Sequence, residues 1–185
     1  IALPAMAAEP TRALLTITDG PVQVLRGAQK FDAAEGLALA DDDIVRTTAA
    51  TRVARIEFAD GRALDLGPAT QVLLLSERTA QAQGWAGASA VVAQGWAKLS
   101  AGAAVGRLVT PHGIVTGEAR GAVLTQAAAD GSALAFAESR GLTLRPRSAG
   151  AEVMLREGET WLRDGASGTV RVIARHTAFR EVPRA

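Results

Sequence analysis

The sequence predicts an all-β fold in which short strands and turns form a β-solenoid-like or sandwich-like domain. Three observations predict it. Apolar residues alternate with polar ones in short runs, and Gly, Asp-Gly and Pro punctuate those runs. The runs also recur about every ten residues along most of the chain, which argues against an alternation of strands with helices. Solenoids and sandwiches both produce evenly spaced short strands, so spacing alone does not decide between them.

The elements follow in order. Leu15 and Ile17 alternate with Thr16 and Thr18, and Asp19-Gly20-Pro21 makes a turn. Val22 and Val24 continue at period two to Gly27, and Gly36 to Thr47 reads as strand, acidic turn and strand. The clearest hairpin is Arg52 to Phe58, Ala59-Asp60-Gly61, then Arg62 to Leu66. Its buried row is Ala54, Ile56 and Phe58, continued by Leu64 and Leu66 on the return strand. Asp-Gly suits such a turn because Gly tolerates the positive φ that tight hairpins demand. Gly67-Pro68 closes the unit, Val72 to Leu75 is a fully apolar strand, and Ser76 to Gln83 reads as a short helix or a long loop.

Gln83-Gly84-Trp85-Ala86 recurs as Gln94-Gly95-Trp96-Ala97, an echo that suggests stacked equivalents. Both tryptophans read as packing groups rather than ligand platforms. After Val109-Thr110-Pro111-His112-Gly113 the pattern resumes with Ala122 to Thr125, the Asp130-Gly131 turn, and Leu134 with Phe136 on a return strand. Leu142 and Leu144, Val153 to Leu155, Thr160 to Leu162, and Val170 to Ile173 after Asp164-Gly165 complete the series.

A chain of 185 residues can bury a sizeable core. Its 48% hydrophobic and 21% charged residues exclude a disordered chain. A net charge of +1 gives no electrostatic case for nucleic acid. The charge is uneven, with 9 Arg against 5 acidic residues from Arg140 onward. With no cysteine there is no disulfide, thiolate nucleophile or Cys-ligated zinc.

Residues 1–7 read as the end of a signal peptide or the remnant of an anchor. Ala5-Met6-Ala7 fits a small-x-small cleavage site, which predicts an exported, periplasmic chain. The β domain is expected over 13–146, with a β extension over 150–185 packed on it.

Catalytic constellations are sparse. Without Cys or Tyr, a nucleophile would have to be Ser, Thr or a carboxylate. Of the two histidines, His112 lies in a Pro-Gly turn and His176 near the C-terminus, and no Gly-x-Ser-x-Gly elbow is present. Asp41, Asp42 and Asp43 are consecutive and so project apart, which suits a solvated turn better than a calcium loop. Glu57 and Asp65 are expected on the outer face of their hairpin, in exposed pairs with Arg55 and Arg62. No glycine-rich phosphate loop precedes a helix. The expectation is a non-enzymatic chain without cofactor or metal.

Taken together, the turn-strand units resemble the FecR domain, the periplasmic part of FecR-type regulators. Gly20 to Gly27 resembles the family's opening strand. Gly36-Leu-Ala-Leu-Ala-Asp-Asp-Asp-Ile-Val-Arg-Thr47 resembles its G-x-x-L-x-x-G-D-x-I-x-T segment, with Asp42 where Gly is common. Ala54 to Leu66, followed by Pro68 and Thr70, resembles its Asp-Gly hairpin. Val109 to Gly113 resembles a v-x-T-P-x-G segment, Arg120-Gly121-Ala122 a v-R-G-T segment, and Asp130 to Leu144 the closing hairpin. The likeness runs from Thr16 to Arg145.

The resemblance implies an all-β periplasmic domain. In the best-known members it passes a signal from an outer-membrane transporter to a segment that controls a sigma factor, and no such segment is read in this sequence. The expected function is therefore a protein-interaction module in envelope signalling or assembly. Its expected partner is another envelope protein, such as a transporter, sensor or assembly component. Arg140, Arg145 and Arg147 are the candidate partner-binding residues, suited to an acidic protein or an anionic glycan; an ordinary solvated surface is their other reading. The alternative function is a wall-associated structural or glycan-binding domain that meets peptidoglycan.

Overall fold

The structure, a computed structural model, describes residues 12–147 and 150–174. Residues 1–7, read above as the end of a signal peptide or an anchor remnant, His176 and the last part of the expected β extension lie outside the described residues. In chain order the strands are β1 (Ala13–Asp19), β2 (Val22–Arg26), β3 (Gln29–Ala33), β4 (Ala38–Leu39), β5 (Ile44–Thr47), β6 (Val53–Phe58), β7 (Ala63–Leu66) and β8 (Gln71–Leu74). Helix α1 (Glu77–Ala82) precedes β9 (Ala90–Ser100), β10 (Gly106–Thr110), β11 (Gly113–Gly117), β12 (Ala122–Ala127) and β13 (Ala133–Ser139). Strands β14 (Leu142–Pro146), β15 (Val153–Leu155), β16 (Glu159–Arg163) and β17 (Val170–Ala174) follow.

These strands form two facing layers, so the architecture is a sandwich. The first layer runs β4-β1-β6-β7-β9-β12-β13-β16-β17. The second runs β3-β2-β5-β8-β9-β10-β11-β14-β15. Every pairing is antiparallel except that of β9 with β10. Strand β9 belongs to both layers. Its first part pairs with β8, and its second part, from Gly95, pairs with β7 and β12. The chain turns the corner at Gly95, whose φ of 89° is open to glycine and strained for other residues.

The repeated Gln-Gly-Trp-Ala is therefore not a pair of stacked equivalents. Gln83 to Ala86 follows α1 in a loop, whereas Gln94 to Ala97 forms the corner of β9. Ser76 starts α1 by accepting a hydrogen bond from Thr79 N at 3.0 Å. The helix lays Ala80 on the outer face of the second layer, in a small apolar cluster with Leu75, Ala88, Val109 and Trp85.

Alternation fills the space between the layers. Leu15, Val24, Val45, Ile56, Leu64, Leu66, Val72, Val92 and Leu99 form the first core cluster. Val115, Val123, Ala135, Leu142, Leu144, Leu155 and Trp161 form the second. Each buried large aliphatic contributes about 1.5–3 kcal/mol by leaving water. Strands β15 and β16 share the second cluster with β11 to β14, so these two strands extend the same sandwich.

Buried threonines close one long side of the first half. Thr51 Oγ1 donates to Pro21 O at 2.5 Å, Thr47 Oγ1 to Gly67 O at 2.6 Å, and Thr70 Oγ1 accepts from Trp96 N at 2.9 Å. Each hydroxyl ties one layer-to-layer corner to the next and satisfies backbone groups that the sheets cannot.

Two electrostatic expectations change. Asp43 is not a solvated turn residue: it is 0% exposed, bound by Arg26 Nε and Nη2 at 2.8 and 2.7 Å and by Ala40 N at 2.8 Å. The ring of contacts forms because Asp42 takes a φ of 64°, in the place where the resembled segment has Gly, and turns Asp43 inward. Asp65 does pair with Arg55, at 2.6 and 3.0 Å. Arg62, however, takes Asp60 rather than Glu57 and packs over the Phe58 ring, 5.4 Å from its centroid.

Candidate functional site

Connectivity opens a gap between the layers in the second half. Beyond β9 the chain changes layer only on the side opposite the threonines, around Gly102, Glu118–Gly121, Gly141 and Gly158. Hydrogen bonds join these crossings: Arg120 N to Gly102 O at 2.9 Å, Glu118 N to Gly141 O at 3.3 Å, and Gly158 N to Ala137 O at 2.7 Å. On the threonine side each layer turns back on itself. In the second layer, Arg147 N donates to His112 O at 2.9 Å. In the first layer, Gly165 packs against the Asp130 carbonyl so closely that a Cβ there would lie 2.3 Å from that oxygen. Among the described strands, none bridges the two sets of turns.

A slot of about 650 Å³ fills this seam. Pro111, His112, Pro146 and Arg147 line it from the second layer, and Trp161, Arg163, Gly168 and Val170 from the first. Val153 and Trp161 give it an apolar floor, Trp161 being 4% exposed. Strand β15 adds to the gap, because it spans three residues where β14 spans five and pairs only with Leu142 to Leu144.

Two arginines, Arg147 and Arg163, line the slot. Arg163 spends one N–H on Gly131 O at 2.5 Å. Among the described residues, no carboxylate is paired with Arg147 or Arg163. Burial, and then the charge of Arg163, push the His112 pKa below the usual histidine value. The nearby carboxylates of Asp130 and Asp164 are held below the usual range by their own turns, chiefly by Ser132 and Ser167.

Of the arginines expected to bind a partner, Arg147 lines the slot and its guanidinium lies over the Trp85 ring, 5.8 Å from the centroid. Arg145 lines a smaller groove of about 230 Å³ with Trp85, Thr110 and Ile114. Arg140 occupies a turn of φ 62° at the other end of β14, on the opposite side of the sandwich. The strand therefore gathers two of the three and separates the third. The residues missed from the sequence are His112, Trp161, Arg163 and Val170. The alternation of Trp161 with Arg163 was a usable signal, because it puts both on one face of a strand.

The end of the sandwich is also unfinished. Val172 pairs with Trp161 across the sheet and so faces the same way, yet Val172 and Val170 are each 47% exposed. Met154, on the outer face of β15, is 81% exposed. Both β15 and β17 are sheet edges with one paired side among the described strands.

No family model and no curated protein matches the sequence. Two crystal structures of a candidate anti-sigma factor from Parabacteroides distasonis share the fold, at 2.50 and 1.65 Å resolution. Both have a TM-score of 0.59, at 11% and 10% identity, over 71% of this chain. The matched part spans 59% of the length of those chains. The likeness establishes a shared all-β fold.

Proposed function

We propose that the chain is a non-catalytic FecR-like interaction module acting in periplasmic envelope signalling or assembly. Its recognition surface is the open end of the sandwich formed by β15 and β17. The exposed inner face of β17 carries this reading. Val172 continues a row that is buried at Trp161 and Ala135 in the two preceding strands, and Val170 lies on the same face. Apolar residues at an unpaired edge invite a covering strand, with main-chain hydrogen bonds supplying affinity. Two further facts support the reading: the order of FecR-like motifs from Thr16 to Arg145, and the fold shared with a candidate anti-sigma factor. The partner is another envelope protein, a transporter, sensor or assembly component.

One observation favours wall binding as a second reading. The groove at Trp85 joins an aromatic face to Arg145 and Arg147, a combination that suits an anionic glycan.

An affinity pull-down from periplasmic extract, with the wild type and Val172→Lys as baits, separates the two. One envelope protein retained by the wild type and lost by the variant is the expected result. Retention of peptidoglycan alone moves the assignment to wall binding. Retention of neither overturns both.

A further inference from the structure

The exposed valines account for the cover proposed for the open end. They do not explain the charge beside them. Arg147 and His112 reach the slot from one layer and Arg163 from the other, over a floor of Val153 and Trp161. Among the described residues, no Asp or Glu lines it. Asp130 and Asp164, on the turns at its rim, accept hydrogen bonds from Ser132 Oγ at 2.6 Å and Ser167 Oγ at 2.8 Å. A guanidinium carries five N–H donors, and Arg163 has committed one, to Gly131 O. The slot thus combines the uncommitted donors of Arg163, and at its mouth those of Arg147, whose guanidinium lies over Trp85, with an apolar floor between two strand layers.

Resting on the interaction-module reading above, we propose that the slot takes an extended segment of the partner polypeptide that carries an acidic side chain. Arg147 and Arg163 hold its carboxylate, and its flanking apolar residues lie over Trp161, Val153 and Val170. An extended segment fits because period-two alternation sends one side chain inward and the next outward, as in the strands on either side. A carboxylate fits because a charge-assisted, two-armed contact is the strongest use of guanidinium donors in a partly dry site. A nucleic acid fits poorly: the floor is apolar and the whole chain carries a net charge of only +1.

The test is fluorescence anisotropy on the full chain. The probes are pools of labelled octapeptides that alternate apolar and polar residues, with Glu, Gln or Lys at the centre. The Glu pool is expected to bind saturably, the Gln pool about tenfold more weakly, and the Lys pool more weakly still. Arg147→Gln is expected to remove the preference for Glu while leaving the weaker binding of the Gln pool. Arg147 is exposed, so its loss leaves the fold intact, as urea unfolding checks. Val170→Glu, which places a carboxylate at the slot from within, is expected to block the Glu pool. Equal binding of the Glu and Gln pools, absence of saturable binding, or an unchanged preference in Arg147→Gln overturns the proposal. An envelope protein captured equally by the wild type and Arg147→Gln would refute the slot and leave the interaction module standing. Capture of nothing by the wild type removes the module itself.

Discussion

Thr70 holds the corner of β9 from inside: its Oγ1 accepts a hydrogen bond from Trp96 N at 2.9 Å and lies 3.1 Å from Trp96 O. Pro68 O is also 3.1 Å away, so one buried hydroxyl serves the corner after β7 and the corner within β9 together. Thr70→Val keeps the shape and removes the hydroxyl. It removes the hydrogen bond from Trp96 N, at a cost of about 0.5–1.5 kcal/mol. Urea unfolding is expected to show that loss, and Thr70→Ser to recover most of it.

Gly95 lies against the same threonine. A Cβ on Gly95 would sit 2.4 Å from Thr70 Oγ1 and 2.5 Å from Thr70 Cα, in a backbone of φ 89°. Gly95→Ala therefore meets both strain and a clash with backbone that cannot swing aside. Gly27 has a similar sign of φ, 58°, with open space around it. Gly27→Ala is expected to cost about 1–2 kcal/mol from conformation alone. Gly95→Ala is expected to exceed that clearly, to the point of lost cooperative unfolding by circular dichroism.

These corners show what the sequence could and could not reveal. The strands were legible because each carries its own signature. Ala54, Ile56 and Phe58 alternate with Arg55 and Glu57, and Asp60-Gly61 reverses the chain. The layer of each strand was not legible. Whether Gly67-Pro68 and Asp130-Gly131 cross the sandwich or reverse within one sheet depends on long-range pairing, and both look like turns. The slot follows from that choice, since it exists where hairpins replace crossings. His112 was read as a bland turn residue because its neighbours in the slot, Trp161 and Arg163, lie about fifty residues away and meet it only after the sheets stack. Asp43 was misread for a related reason: its partner Arg26 belongs to a strand two elements earlier in the second layer.

The pair of Arg26 and Asp43 gives a third prediction. Asp43 has no exposed surface, whereas the Arg26 side chain is 43% exposed. Asp43→Asn keeps the volume and loses the charge that two guanidinium nitrogens meet. Breaking a fully buried pair costs about 3–5 kcal/mol, and the half-wet arginine brings this pair to or below the lower limit, about 3 kcal/mol. Asp41→Asn is the control, because the Asp41 side chain is 44% exposed in its pair with Arg12. Its expected cost is at most about 1 kcal/mol. Chemical denaturation of both variants measures the difference.

His112 supplies a pH dependence whose sign can be worked out. Its folded pKa lies below the ordinary value of 6.5, first because burial disfavours the charged imidazolium and then because Arg163 repels it. The unfolded chain therefore binds this proton more readily than the folded one. Stability is fully present above the unfolded value of 6.5 and declines as pH falls from there toward the folded pKa. In the wild type, Tm at pH 5 is expected to be lower than at pH 7. Part of that drop belongs to His112 and is expected to disappear in His112→Asn, which carries no titrating group. If the two proteins lose the same Tm between these pH values, His112 is not desolvated in the folded state. An acidic peptide bound in the slot reverses the sign, because its carboxylate offsets the charge of Arg163 and favours the imidazolium. Binding of the Glu pool is then expected to tighten as pH falls from 7 to 6, and to lose that tightening in His112→Asn.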